Sequence, residues 1–139
     1  MPPPQTPSGP EGAWTALVVE DEAIIAAGIE EILLELGARR VRVGRSPASV
    51  LLDEEVPDLA VIDWRLRTGT AADLVPRLLE VGTSVVIVTG AHPDDLGDVA
   101  ARGIPILSKP FRDDFLAATI RAVLERRREE RRAGTPDQA

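Results

Sequence analysis

The chain has no cysteine, no tyrosine and one histidine among its 139 residues, and its aromatic content is 3%. Without thiols it can form neither disulfides nor thiolate metal sites, and it has no cysteine nucleophile. This composition fits a reducing compartment, so a cytoplasmic location is expected. The lone histidine, His92, lacks a histidine or cysteine partner for a transition-metal site and reads as a solvated loop residue. No apolar run is long enough to cross a bilayer, so no membrane association is expected. The N-terminus lacks the basic-then-apolar layout of a signal peptide. Positive charge is also short: 16 basic residues face 23 acidic ones, a formal net charge of −7. A nucleic-acid-binding surface is therefore not expected. No glycine-rich phosphate loop ending in Gly-Lys-Ser/Thr is present, which disfavours a P-loop nucleotidase.

Hydrophobic residues make up 44% of the chain and charged residues 28%, as in a soluble globular domain. The length suits one domain with a real core. Residues 1–12 are rich in proline and glycine and read as a flexible leader. Residues 13–126 read as the folded domain, and 127–139 as a charged helix extension and tail.

Strand-like and helix-like segments alternate five times. Thr15–Val19, Leu59–Ile62, Val85–Val88 and Ile104–Leu107 are short, continuous apolar runs, the pattern of strands covered on both faces. Val41 and Val43 alternate with Arg40 and Arg42, which suits an edge strand. Ile25, Ile29, Ile32, Leu33 and Leu36 form a helical stripe closed by Gly37, with Gly28 at its edge expected to pack closely on the sheet. Ser46-Pro47 reads as a helix start leading to Val50 and Leu51. A loop through Thr68-Gly69-Thr70 leads to a helix with Leu74, Leu78 and Val81 on one face. Asp73 is its expected cap, because Pro76 is tolerated only in the first turn. Pro93-Asp94-Asp95 reads as another helix start. A final helix from about Arg112 is expected to turn Phe115, Leu116, Thr119, Ile120, Val123 and Leu124 inward. The mixed-sign run Glu125–Arg132 reads as its solvated extension. This order predicts an α/β fold, a (βα)5 doubly wound five-stranded parallel sheet.

The apolar runs end on Glu20-Asp21, Asp63, Thr89 and Lys109. In an open parallel sheet the carboxyl ends of the strands open into one crevice. Three carboxylates, a hydroxyl and an ammonium would then converge, a set suited to holding Mg2+ and accepting a phosphoryl group. Magnesium takes hard oxygen ligands and needs only one or two carboxylates besides phosphate. Asp63 is a candidate nucleophile, with the metal and Lys109 neutralising charge on the transferring oxygens. Each residue alone has a plainer reading. Glu20-Asp21-Glu22 is an acidic helix cap, Asp63 a solvated strand end, Thr89 a turn residue and Lys109 a surface lysine. Trp64 reads either as part of a binding surface or as packing beside the loop, Trp14 as a partial anchor and Phe111 as a core residue.

From Ala16 to Leu124 the chain resembles the receiver domain of two-component response regulators, with a flavodoxin-like, CheY-like (βα)5 fold and of the stand-alone type. The resemblance rests on Leu-Val-Val-Glu-Asp-Glu (17–22), Pro-Asp-Leu-Ala-Val-Ile-Asp (57–63), Val-Ile-Val-Thr-Gly (86–90) and Leu-Ser-Lys-Pro-Phe (107–111). It implies that Asp63 is the phosphoacceptor, Glu20 and Asp21 the acidic pair, Thr89 the switch hydroxyl and Lys109 the phosphate-contacting lysine. It also implies that the backbone carbonyl of Arg65 completes the Mg2+ ligands, and that Lys109-Pro110 is often cis. The implied donor is a histidine kinase or a histidine phosphotransfer protein. Output goes to an unidentified protein target, and a homodimer is compatible. Two departures stand out. Arg65-Leu66-Arg67-Thr68-Gly69 replaces the usual Leu-Pro-Gly, and Ile106 replaces an aromatic switch residue. Arg65 is expected to affect the lifetime of the phosphoryl group. Two other classes remain: a phosphorylation-independent pseudo-receiver module, and a phosphatase. The phosphatase is disfavoured because its Asp-x-Asp motif is missing.

Overall fold

The computed structural model describes residues 14–47, 50, 55–66, 69–90, 96 and 102–134. The leader, the helices expected after Pro47 and Pro93, His92 and the last five residues lie outside these.

Strands β1 (Thr15–Val19), β2 (Arg40–Gly44), β3 (Leu59–Asp63), β6 (Ser84–Thr89) and β7 (Ile106–Ser108) form one sheet in the order β2-β1-β3-β6-β7. Every pairing in it is parallel. Strands β4 (Arg65–Leu66) and β5 (Gly69–Thr70) form a separate antiparallel ribbon. The helices are α1 (Ala23–Glu35), α2 (Leu74–Glu80) and α3 (Asp113–Gly134).

The continuous apolar runs are explained by two cores, one on each face of the sheet. Alternate residues Ala16, Val18, Leu59, Val61, Val86, Val88 and Leu107 pack with Ile29 and Leu33 of α1 and Leu116, Ile120 and Leu124 of α3. The intervening residues Leu17, Val19, Ala60, Ile62, Val85 and Ile87 pack with Leu74, Val75 and Leu78 of α2 and with Trp64. Both tryptophans are core residues, Trp14 on the first face and Trp64 on the second. Edge strand β2 is only partly covered, and its alternation is not kept: Val41 packs against the first core, but Val43 is exposed and Arg42 half-buried.

Gly37, at φ +110°, ends α1 in the left-handed conformation that glycine adopts without penalty. Its N–H bonds to Leu34 O at 3.1 Å, and that of Ala38 bonds to Leu33 O at 3.1 Å.

Several expectations shift. Gly28 does not pack against the sheet: a Cβ built there meets nothing within 4 Å. It faces a groove between α1 and the segment leading into α3, lined by Ile24, Ile25, Pro110 and Phe111. Phe115 is 60% exposed, because Leu116, Ile120 and Leu124 define the buried stripe and Phe115 falls one residue, about 100°, away from it. Val81 is exposed because α2 ends at Glu80 and the chain turns at Gly82. Pro76 does fall in the first turn of α2, but the side chain of Asp73 makes no cap hydrogen bond. The last strand starts at Ile106, not Ile104. Pro105 has no N–H to give the ladder, although its carbonyl accepts Ile87 N–H at 2.9 Å.

The charged extension is tied into the domain. Arg127 Nη1 donates to Gly82 O at 2.8 Å and Ser84 Oγ at 3.1 Å, and Nη2 donates to Asp58 Oδ1 at 3.0 Å. Asp58 Oδ2 accepts Thr15 N–H at 2.9 Å. One guanidinium thus joins α3 to the amino-terminal ends of β3 and β6, and through Asp58 to that of β1. Farther along, Arg131 lies 3.8 Å from Asp58.

Candidate functional site

The register of the sheet builds the site. Val19 pairs with Ile62, so the next residues, Glu20 and Asp63, emerge side by side at the carboxyl ends of β1 and β3. This is the point where the strand order reverses, the ordinary ligand crevice of a doubly wound sheet. Carboxylate oxygens of Glu20, Asp21 and Asp63 lie within 4.8 Å of one another. Glu20 and Asp63 are buried, and Asp21 is half-buried.

Lys109 starts two strands away, just past β7. Strands are about 4.8 Å apart, so only a long side chain can cross β6 to β3. Its backbone N–H bonds to Thr89 O at 2.8 Å. Its Nζ lies 3.0 Å from both Glu20 Oε1 and Asp63 Oδ2, and the Lys109-Pro110 peptide is cis.

The other carboxylate oxygens are held by backbone. Asp63 Oδ1 accepts Arg65 N–H at 3.1 Å, and Glu20 Oε2 accepts Glu22 N–H at 3.1 Å. Burial raises the pKa of Glu20. Lys109 and the Glu22 N–H pull the other way, and the negative Asp63 adds to the rise. For Lys109 burial acts to lower the pKa, but its bonds to Glu20 and Asp63 and their charges outweigh burial and raise it. The ammonium is therefore firmly charged at neutral pH.

Glu20, Asp21, Asp63 and Lys109, singled out from sequence, are brought together. Thr89 is fully buried at the end of β6 and is linked to Lys109 by the backbone bond. Strand alternation sets it on the face shared by Val85 and Ile87, whereas Glu20 and Asp63 continue the opposite face. The side chain of Arg65 is exposed, and Ile106 packs partly buried against the second core.

Two features were not read from the sequence. The segment after Asp63 is a ribbon, with Arg65 opposite Thr70 and Leu66 opposite Gly69, closed by Ala71 N–H to Trp64 O at 3.0 Å. Residues 67–68 carry none of the Asn-Gly or Asp-Gly signals that mark tight hairpins. The second feature is Glu22. Its side chain makes no helix-cap bond; instead its Oε1 lies 3.7 Å from Lys109 Nζ.

No protein-family model matches the chain. The phosphate regulon transcriptional regulatory protein PhoB of Escherichia coli (strain K12) is 31% identical over 117 residues, covering 79% of this chain and 51% of PhoB. The chain thus spans about half the length of the curated relatives it matches. Among solved structures, the BeF3-activated receiver domain of DrrB, a Thermotoga maritima OmpR/PhoB homologue, superposes with a TM-score of 0.71 at 26% identity. It covers 81% of this chain and 98% of that one. A CheY-like receiver domain protein from Methanospirillum hungatei JF-1 shares the fold, with a TM-score of 0.75 at 22% identity over 86% of this chain and 99% of its own. Among the described residues, no helix is long and apolar enough to cross a membrane. With its 2-1-3-6-7 parallel sheet, its strand-end acids and lysine, and these relatives, the chain belongs to the CheY-like receiver domains of two-component response regulators.

Proposed function

We propose that the domain is a phosphorylation switch in which Asp63 accepts a phosphoryl group, from a histidine kinase or a histidine phosphotransfer protein, in a Mg2+-dependent reaction. The observation that carries this is the approach of one ammonium to within 3.0 Å of two buried carboxylates, beside a third.

The acid cluster fits magnesium. Its donors are all hard oxygens, they are close enough to share one small dication, and they repel one another when nothing positive lies between them. Glu20, Asp21, Asp63 and the Arg65 carbonyl would hold the ion. When bound, it screens the charge on the phosphoryl oxygens.

The chain's own residues do the rest. Arg65 N–H fixes one oxygen of Asp63. An Asp63 oxygen attacks phosphorus as the P–N bond of the donor phosphohistidine breaks, and the electron pair leaves with the imidazole. Lys109 Nζ, already at Asp63 Oδ2, is placed to neutralise an incoming phosphoryl oxygen. The Thr89 hydroxyl, which starts on the other face of the sheet, would reach a second phosphoryl oxygen only by turning toward Asp63. Because Thr89 O holds the Lys109 backbone, the two contacts are mechanically joined without an aromatic at position 106. The chain catalyses only its own phosphorylation and dephosphorylation, and output is by protein–protein contact.

The test is Mg2+-dependent labelling of the wild type and Asp63→Asn with a small phosphodonor and with a competent kinase. Labelling of the wild type alone is expected, with a changed phosphoryl lifetime in Arg65→Ala. A wild type that neither donor labels would favour a pseudo-receiver interaction module.

A further inference from the structure

The site contains a conflict between two cations. Lys109 Nζ sits 3.0 Å from Glu20 Oε1 and 3.0 Å from Asp63 Oδ2, and those two side chains are almost wholly buried. A divalent ion drawn to Glu20, Asp21 and Asp63 needs the same oxygens. Lys109 cannot simply retreat. Its backbone is pinned to Thr89 O, and its side chain is only 17% exposed. An ammonium that loses one of its two close carboxylates in such a place is poorly compensated.

One carboxylate is placed to take it. Glu22 Oε1 is 3.7 Å from Lys109 Nζ, and the Glu22 side chain is 59% exposed. Its backbone is held by Glu20 Oε2, and its side chain is not spent on capping α1. An approach closer by about 1 Å gives a charge-assisted hydrogen bond of ordinary length.

We infer that Glu22 is the positioning residue that receives the Lys109 ammonium when a divalent cation takes over Glu20, so that the cation enters by hand-over. This rests on the phosphoacceptor reading and adds a residue to it. Glu22 then tunes cation affinity through Lys109, without being a ligand. The contact given up is the one to Glu20. Lys109 stays within reach of Asp63 and of any group that arrives there.

The sequence supplies a clean probe, since Lys109 is the only lysine in the chain. The experiment is a double-mutant cycle on the full chain: wild type, Glu22→Gln, Lys109→Met and the pair. MgCl2 is titrated and read by tryptophan fluorescence. Trp64 adjoins Asp63, while Trp14 precedes β1 at the other end of the sheet and gives a constant background. Glu22→Gln is expected to weaken Mg2+ binding by about threefold in the wild type, the scale of a partly exposed charge pair. In the Lys109→Met background the same substitution is expected to change it by less than about 1.5-fold, because the residue it acts through is gone. Equal weakening in both backgrounds overturns the hand-over and makes Glu22 a plain source of negative field.

A second readout covers a Lys109→Met chain that does not fold. Protein labelled with 15N-lysine carries a single side-chain ammonium signal. Mg2+ is expected to shift that signal in the wild type and by less than half as much in Glu22→Gln; equal shifts overturn the inference. A folded wild type that shows no Mg2+ response in either readout removes the metal-dependent reading itself, and the hand-over with it.

Discussion

Replacing Arg127 by alanine tests whether the C-terminal part of α3 belongs to the domain. The guanidinium makes three hydrogen bonds, to Gly82 O, Ser84 Oγ and Asp58 Oδ1, at 2.8, 3.1 and 3.0 Å. The side chains of Arg127 and Asp58 are 20% and 25% exposed, so the pair is neither buried nor freely solvated. Net contributions of about 0.5–1.5 kcal/mol per hydrogen bond sum to several kcal/mol. Two effects reduce that sum. Water replaces part of what is lost, and Arg131, 3.8 Å from the same Asp58 oxygen, can close on it. The expected loss is about 1–2 kcal/mol, or a fall of about 4–8 °C in Tm. Urea and thermal unfolding of the full chain, followed by circular dichroism, measure it, with the urea slope unchanged. Arg127→Lys is expected to recover less than half of the loss, because one ammonium cannot serve three acceptors in the geometry of a planar fork. A loss below about 0.5 kcal/mol, the range of an ordinary exposed ion pair, would refute the reasoning and return residues 125–132 to the status of a solvated extension.

Other predictions follow from single residues. Gly28→Ala is expected to stabilise the fold by about 0.5–1 kcal/mol, since the added Cβ meets no atom within 4 Å and α1 gains a better helix former; an unchanged or lower Tm would count against it. Glu20 has a raised pKa in the metal-free fold, first because of burial. Below the ordinary carboxylate pKa both the folded and unfolded chains hold the proton, so nothing changes there. As pH rises from that value to the raised one, the unfolded chain releases its proton first, and stability falls across the interval. Glu20→Gln should remove that slope in a Tm-against-pH series, and added Mg2+ should reduce it in the wild type by favouring the charged carboxylate. Leu116→Ala empties a fully buried position on the first face and is expected to cost about 2–5 kcal/mol, read by urea unfolding.

Much of the fold was legible because both faces of the sheet are covered. Leu59–Ile62 and Val85–Val88 must then be apolar at every position, and that leaves an unbroken signal. The site was legible for a related reason: parallel strands place their last residues at one end, so Glu20, Asp63 and Lys109 could be grouped without knowing any distance. What the sequence did not reveal depends on side-chain direction and on loops. Phe115 is as apolar as Leu116, and only its angle around the helix separates them. Gly28 looked like a packing device, yet its position on the flank of α1 leaves it facing open space. The ribbon after Asp63 has no turn signature. Glu22 has the composition of a helix cap but is occupied with Lys109. Arg127 resembles the arginines around it, and its role follows from meeting the ends of strands more than forty residues away.

That last contact makes α3 a brace. The helix begins four residues after Lys109, at Asp113, and ends at Gly134. Leu116, Ile120 and Leu124 seat its first part against the sheet, and Arg127 fastens it once more at the amino-terminal ends of the strands. At about 1.5 Å per residue, the attachments from Leu116 to Arg127 run along about 17 Å of the helix. The domain thus has one stiff member, held along its length, that spans from the segment behind Lys109 to the opposite pole of the sheet.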